Sequence, residues 1–212
     1  MVALRNRRAI ALIFVWGWVV GPAFGYLITK VLPLEEPYVV VVFLASLAPV
    51  APFLQQMVAK ARGDMGFAGA LVPLVMVGTV VLMPVMGPVL IKGVTISTSS
   101  LAQPLLLTIL LPLVIGAVIR HFADKGATRI FPAVKGLALL STLLTILWCL
   151  VIYGRGMLNT AGELAFLSLN LFMIGMGVIA YCFGFGMKQN QRSVMALGMG
   201  TRNIAAVLAA AM

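Results

Sequence analysis

The chain has 212 residues, of which 62% are hydrophobic and 9% charged, with a formal net charge of +10. Its mean hydropathy of +1.13 excludes an ordinary soluble domain and fits an all-α polytopic membrane protein. The basic residues sit in short loops between apolar spans and form no basic face, which makes the lipid bilayer, and no nucleic acid, the expected partner.

Seven apolar spans follow one another. The first, about Ala9 to Pro33, comes after Arg5, Arg7 and Arg8 and carries Trp16 and Trp18. It is too long for a signal peptide and lacks a small-residue cleavage site. Gly17, Gly21 and Gly25 recur every fourth residue, so a neighbouring helix can approach closely. The second span, about Tyr38 to Lys60, contains Ala48-Pro49-Val50-Ala51-Pro52-Phe53-Leu54-Gln55-Gln56. Pro49 and Pro52 remove backbone donors and clash with the preceding turn, freeing carbonyls near mid-membrane. Lys60, Arg62, Gly63 and Asp64 make a polar turn, and the third span, Met65 to about Ile91, contains Pro73, Pro84 and Pro88.

A Ser/Thr-rich loop is expected from Lys92 to Gln103, then a fourth span over Pro104–Ile119 and a basic loop with Arg120, His121, Asp124, Lys125 and Arg129. The fifth span covers about Phe131 to Tyr153, the sixth about Leu164 to Met187, and the seventh Val194 to Met212. Inside the seventh lies Gly198-Met199-Gly200-Thr201-Arg202-Asn203, where two glycines allow the helix to unwind before a hydroxyl, a guanidinium and an amide. A charge at membrane depth is expensive and normally faces a bundle interior or a wet cavity.

Two interrupted apolar spans at corresponding places point to the binding site of a secondary transporter. The second span runs opposite to the seventh, so the expected repeat is inverted. On that symmetry two further spans are expected before residue 1 and one after residue 212. Arg202 is expected to hold an anion bidentately, to act as a fixed positive charge, or to brace the fold. Asn203 and Gln55 are expected to cap freed backbone groups or touch ligand, and Gln56 to face the cavity or a neighbouring helix. Thr79 and Asn170 are expected to bond between helices, His121 to lie at the interface, and Cys149 and Cys182 to be reduced packing residues. No nucleophile–base pair is apparent and the five carboxylates are placed in loops, so no enzyme is expected.

These residues resemble the bile acid:sodium symporter family. The resemblance rests on the Pro49 break leading to the Ala61-Arg62-Gly63-Asp64 turn and on Leu111, Pro112 and Gly116, which match a Leu-Pro-x-x-x-Gly signature. It rests also on Gly198–Asn203, set against a Glu-x-Gly-x-Gln-Asn pattern. It implies ten helices, with crossing broken helices in a core domain (residues 1–91 and 164–212 here) and a panel domain (104–153). It also implies sodium sites, where this sequence departs: Leu54 and Gln55 replace a Ser-Asn pair, Val72 and Pro73 a Thr-Ser pair, Gly198 a glutamate and Arg202 a glutamine. The ligand set expected for substrate or ion is therefore Gln55, Gln56, Gly198, Gly200, Thr201, Arg202 and Asn203. No cofactor is expected, and sodium is the candidate coupling ion. The expected function is carriage of a small organic anion by alternating access. The alternatives are a sodium symporter using backbone ligands and a non-transporting sensor or scaffold on the same fold.

Alternate loops divide the Lys and Arg residues unevenly. Arg5, Arg7, Arg8, Lys60, Arg62, Arg120, Lys125, Arg129, Lys135, Lys188 and Arg192 fall on one side, and Lys30, Lys92 and Arg155 on the other. This bias places the N-terminus of the chain in the cytoplasm of a cell with the protein in its inner membrane. Labelling of single cysteines with an impermeant maleimide tests it, on a background lacking Cys149 and Cys182. Glu35→Cys should react in intact cells and Arg62→Cys only after permeabilisation; the opposite pattern would reverse the assignment.

Overall fold

The computed structural model describes residues 7–90, 98–160 and 164–211. Among the described residues the regular elements are helices. They are α1 (Arg7–Val31), α2 (Glu36–Leu47), α3 (Leu54–Lys60) and α4 (Met65–Leu90). Helix α5 joins Thr98–Leu105 through a π turn, Leu106–Leu110, to Leu111–Phe122. After it come α6 (Asp124–Thr160), α7 (Ala165–Cys182), α8 (Gln189–Met199) and α9 (Ile204–Ala211). Helices α1, α4, α5, α6 and α7 each contain a stretch long and apolar enough to cross a membrane. The pairs α2/α3 and α8/α9 are the two interrupted spans. Helix α4, at 26 residues, reaches about 39 Å at 1.5 Å per residue, and stays continuous through Pro73, Pro84 and Pro88.

Several expected boundaries shift. The loop placed at residues 92–103 is helical from Thr98, residues 91–97 lying outside the described set. The basic loop after residue 119 is almost wholly helical, interrupted only at Ala123, and α6 extends well beyond Phe131–Tyr153 at both ends. Helix α7 stops at Cys182, short of Met187, and α8 starts at Gln189, five residues before Val194. Except in α7, which ends early, polar residues at a membrane edge continue a helix whose apolar pattern has ended, because water satisfies their side chains while the backbone ladder runs on. Glu36 and Asp124 accordingly open helices instead of lying in loops.

The core lies where α1, α2, α3, α4, α7 and α8 meet. Leu47, Leu54, Leu71, Phe172, Met176, Met195 and Met199 are fully buried there. The first turns of α5 join it through Leu101 and Leu105, whereas nothing in the apolar window of α6 is buried. The α1 glycines serve close approach as expected. A Cβ on Gly17 would stand 3.3 Å from the Pro49 ring, and one on Gly21 3.1 Å from the Ser46 carbonyl. Thr79 and Asn170 differ from expectation: Thr79 Oγ1 donates to Val75 O (2.9 Å) and Asn170 Nδ2 to Phe166 O (2.8 Å), each within its own helix. A carbonyl four residues back is always within reach of such a side chain. Cys182 is exposed at the end of α7, so only Cys149 is even partly packed.

The tightest contact in the core is between α1 and α4, where a Cβ on Gly78 would lie 2.4 Å from the Trp18 ring. Trp18 is 3% exposed. Gly78→Ala should therefore lower stability by about 1–3 kcal/mol through overpacking, read as a fall in the thermal midpoint in detergent. Trp18→Phe on the same background should recover part of the loss, and an unchanged midpoint for the single variant would show that the contact is slack.

Candidate functional site

Both interrupted spans break at the same place in space. Helix α2 ends at Leu47 and α3 begins at Leu54; α8 ends at Met199 and α9 begins at Ile204. Across the gap Pro49 and Arg202 pair as an isolated antiparallel bridge. Val50 N donates to Thr201 O (3.1 Å) and Asn203 N to Ala48 O (2.9 Å). The Thr201 hydroxyl accepts from Ala51 N (3.2 Å) and donates to Gly198 O (3.0 Å). Asn203 Oδ1 accepts from Ala206 N (3.2 Å), making Asn203 the cap of α9. Val50 has φ of 66°, a conformation unfavourable for a β-branched residue and held here by its bond to Thr201.

Arg202 is 3% exposed. Its Nη2 donates to Met199 O (2.9 Å), the C-terminal end of α8, and its guanidinium carbon sits 4.5 Å from the centre of the Phe172 ring. Nε and Nη1 are buried without a hydrogen-bond partner. Phe172 is itself backed by Phe24, with ring centres 5.9 Å apart.

The structure thus brings Pro49, Thr201, Arg202 and Asn203 into one crossing. Gly198 is walled by apolar side chains, its Cβ position lying 3.2–3.3 Å from Leu71, Leu54 and Val50. Gly200 lets α8 approach α7, with Gly177 Cα 3.4 Å from its own Cβ position. Pro52 and Gln56 are exposed and Gln55 is half-buried; neither glutamine takes part in the hydrogen bonds of the crossing. A cavity of about 550 Å³ between α3, α7 and α8 is lined by Met57, Gly177, Ser193, Gly200 and Thr201. A second, of about 880 Å³, lies between α1, α2 and α4, with Trp18, Lys30 and Phe43 in its walls.

Reading the sequence missed Phe172, which covers the guanidinium, and the role of Trp16 and Trp18. These tryptophans flank Gly17 in a π turn of α1, Val15–Val20, that abuts Pro49, and both indole N–H groups are buried without partners. A signal existed, since tryptophan favours the membrane interface and these two lie well inside a span. For Phe172, one apolar aromatic among 11 phenylalanines, there was none.

A family model, the Sodium Bile acid symporter family, matches residues 2–160. The chain belongs to that family. No curated protein matches it. The symporter-family match takes in the first interrupted span and α6 but not residues 161–212, where Arg202 lies. Its members are transporters, so this chain is a membrane protein of a transporter family and not an enzyme.

Thr201 links the two breaks through one oxygen. Thr201→Val should leave the Ala51 amide unpaired and weaken the crossing by about 1–3 kcal/mol, whereas Thr201→Ser should keep both bonds. Hydrogen–deuterium exchange at Val50 and Ala51 is the measurement: faster exchange in the valine variant only is expected, and equal exchange in all three proteins would rule the link out.

Proposed function

We propose that this symporter-family chain carries a small organic anion across the cytoplasmic membrane by alternating access, with Arg202 as the anion-recognising group. The observation that carries the reading is the buried guanidinium with two unpartnered N–H donors at the meeting point of two broken helices. A charged side chain at the bilayer centre costs about 2.5–3.5 kcal/mol on insertion scales, and its buried unpaired donors add to that. An oxyanion on the Nε–Nη2 edge would satisfy Nε, and one on the Nη1–Nη2 edge would satisfy Nη1, each in the planar geometry that suits carboxylates. The N-terminus of α9 adds a partial positive charge at the same point. In this state Phe172 and Phe24 close over the charge, so ligand access requires the crossing to open.

In the same reading α1–α4 and α7–α9 form a core built as an inverted repeat, and α6 with the outer half of α5 forms the panel against which it moves. The exposed length of α6 and the burial of Leu101 and Leu105 support a division within α5.

Proteoliposomes of the full chain and a set of radiolabelled carboxylates, from acetate to taurocholate, test the reading. Saturable uptake of at least one, competed by the unlabelled acid, is expected. Arg202→Gln should weaken its affinity by about one to two decades, the equivalent of the roughly 1.5–3 kcal/mol of a charge-assisted bond. Arg202→Lys should restore only part, because an ammonium lacks the fork. Ligand-induced thermal stabilisation without any flux would point instead to a sensor on the same fold. No saturable uptake and no ligand-induced stabilisation would end the anion reading altogether.

A further inference from the structure

We infer that Arg202 supplies, as part of the protein, the positive charge that a symporter takes from a co-transported sodium ion, so that this carrier works without sodium. The inference rests on the anion-carrier reading and names its coupling. A hard cation such as sodium needs a cage of oxygen ligands, in the manner of other hard cations. At the crossing most of those oxygens are in use. The carbonyls of Ala48, Ala51, Gly198, Met199, Thr201, Arg202 and Asn203 each accept a hydrogen bond already. The Thr201 hydroxyl both donates and accepts, and Asn203 Oδ1 caps α9.

Elsewhere among the described residues the buried polar side chains are Ser46, Thr79 and Ser168. Each donates its hydroxyl to a carbonyl of its own helix. Among the described residues, the carboxylates Glu35 and Glu36 are exposed, Asp124 pairs with Arg120, and the half-buried Asp64 caps the start of α4. A carbonyl that accepts one hydrogen bond keeps a lone pair, but among the described residues no carboxylate stands beside the guanidinium to offset a second cation. Two like charges in a poorly solvated crossing repel strongly. The site therefore fits one cation, and Arg202 is that cation.

The test needs a readout of sodium itself as well as of transport. Thermal unfolding of the full chain is followed while sodium chloride replaces choline chloride at constant ionic strength, for the unmodified protein, Arg202→Lys and Arg202→Gln. Initial uptake of the best carboxylate is measured in the same two salts. The expected result is equal uptake in sodium and in choline, with no sodium-specific shift in the unfolding midpoint of the unmodified protein or of Arg202→Lys. Strict sodium dependence of uptake, or a saturable sodium-specific stabilisation of the unmodified protein, would overturn the inference. Should no carboxylate be taken up in either salt, the anion-carrier reading fails. The unfolding arm then decides this inference alone: a sodium response confined to Arg202→Gln supports it, and one in the unmodified protein refutes it. The lysine variant guards against misfolding, since it keeps the charge in a similar volume.

Discussion

Two backbone hydrogen bonds between segments about 150 residues apart make either broken span possible. A break in a helix at membrane depth leaves N–H and C=O groups that have no water to turn to, and each unsatisfied group costs several kcal/mol. Here Val50 N and the Ala48 carbonyl find Thr201 O and Asn203 N, so each interruption repairs the other. Neither span is stable as drawn without its partner. The positive φ of Val50 follows from the same demand, because its N–H must point at Thr201 whatever its own preference. The small residues follow too: Gly17 and Gly21 of α1 lie on Pro49 and Ser46, and Gly177 of α7 lies on Gly200. They bring helices close enough for backbone to meet backbone.

The crossing is also tied at one end. Asp64 caps α4 through Phe67 N (2.9 Å) and accepts from Gln191 Nε2 (3.4 Å), joining the start of α8 to the turn after α3. A Cβ on Gly63 of that turn would touch Val194 of α8 at 3.1 Å. Arg192 donates to the Cys182 carbonyl (3.1 Å) at the end of α7 and lies over the Tyr181 ring at 5.9 Å. Its charge thus meets the negative end of a helix dipole, in addition to any part it plays in orienting the chain. Helices α3, α7 and α8 are therefore linked in the middle and at one end, which favours their moving as a unit. Helix α6, by contrast, has no buried residue in its apolar window.

How much of this was legible in the sequence depends on which force wrote it. The two breaks were legible because proline and glycine act on the backbone directly: Pro49, Pro52, Gly198 and Gly200 marked both interruptions to within a few residues. Arg202 was legible because a charge among apolar residues has few innocent explanations. The starts of α6 and α8 were not. Gln189 to Ser193 carries no apolar pattern, and its helix is set by the contact of α8 with α7 and by the Asp64–Gln191 bond, both of which need tertiary structure. Thr79 and Asn170 were placed between helices although their own carbonyls are nearer. That choice depends on rotamer and packing, to which composition is blind. The partner of Arg202 was hidden for a related reason, since nothing distinguishes Phe172 from the other phenylalanines until α7 is laid beside the crossing.

That partner explains how a permanent charge can stay in the core at all. Three features accommodate its burial. The Met199 carbonyl, at the negative end of α8, accepts from Nη2. The Phe172 ring offers its negative face at 4.5 Å, a contact worth about 2 kcal/mol when desolvated. The third is the geometry of the bridge itself, which uses the backbone of Arg202 to pair with Pro49 and so fixes the side chain without asking anything of its guanidinium. What remains uncompensated is two donor atoms, Nε and Nη1. A purely structural arginine gains by filling all of its donors, and a carbonyl or hydroxyl on α7 or α9 would have sufficed. Two bare donors, in the place where two helix breaks meet, are what set this arginine apart from one that fills them all.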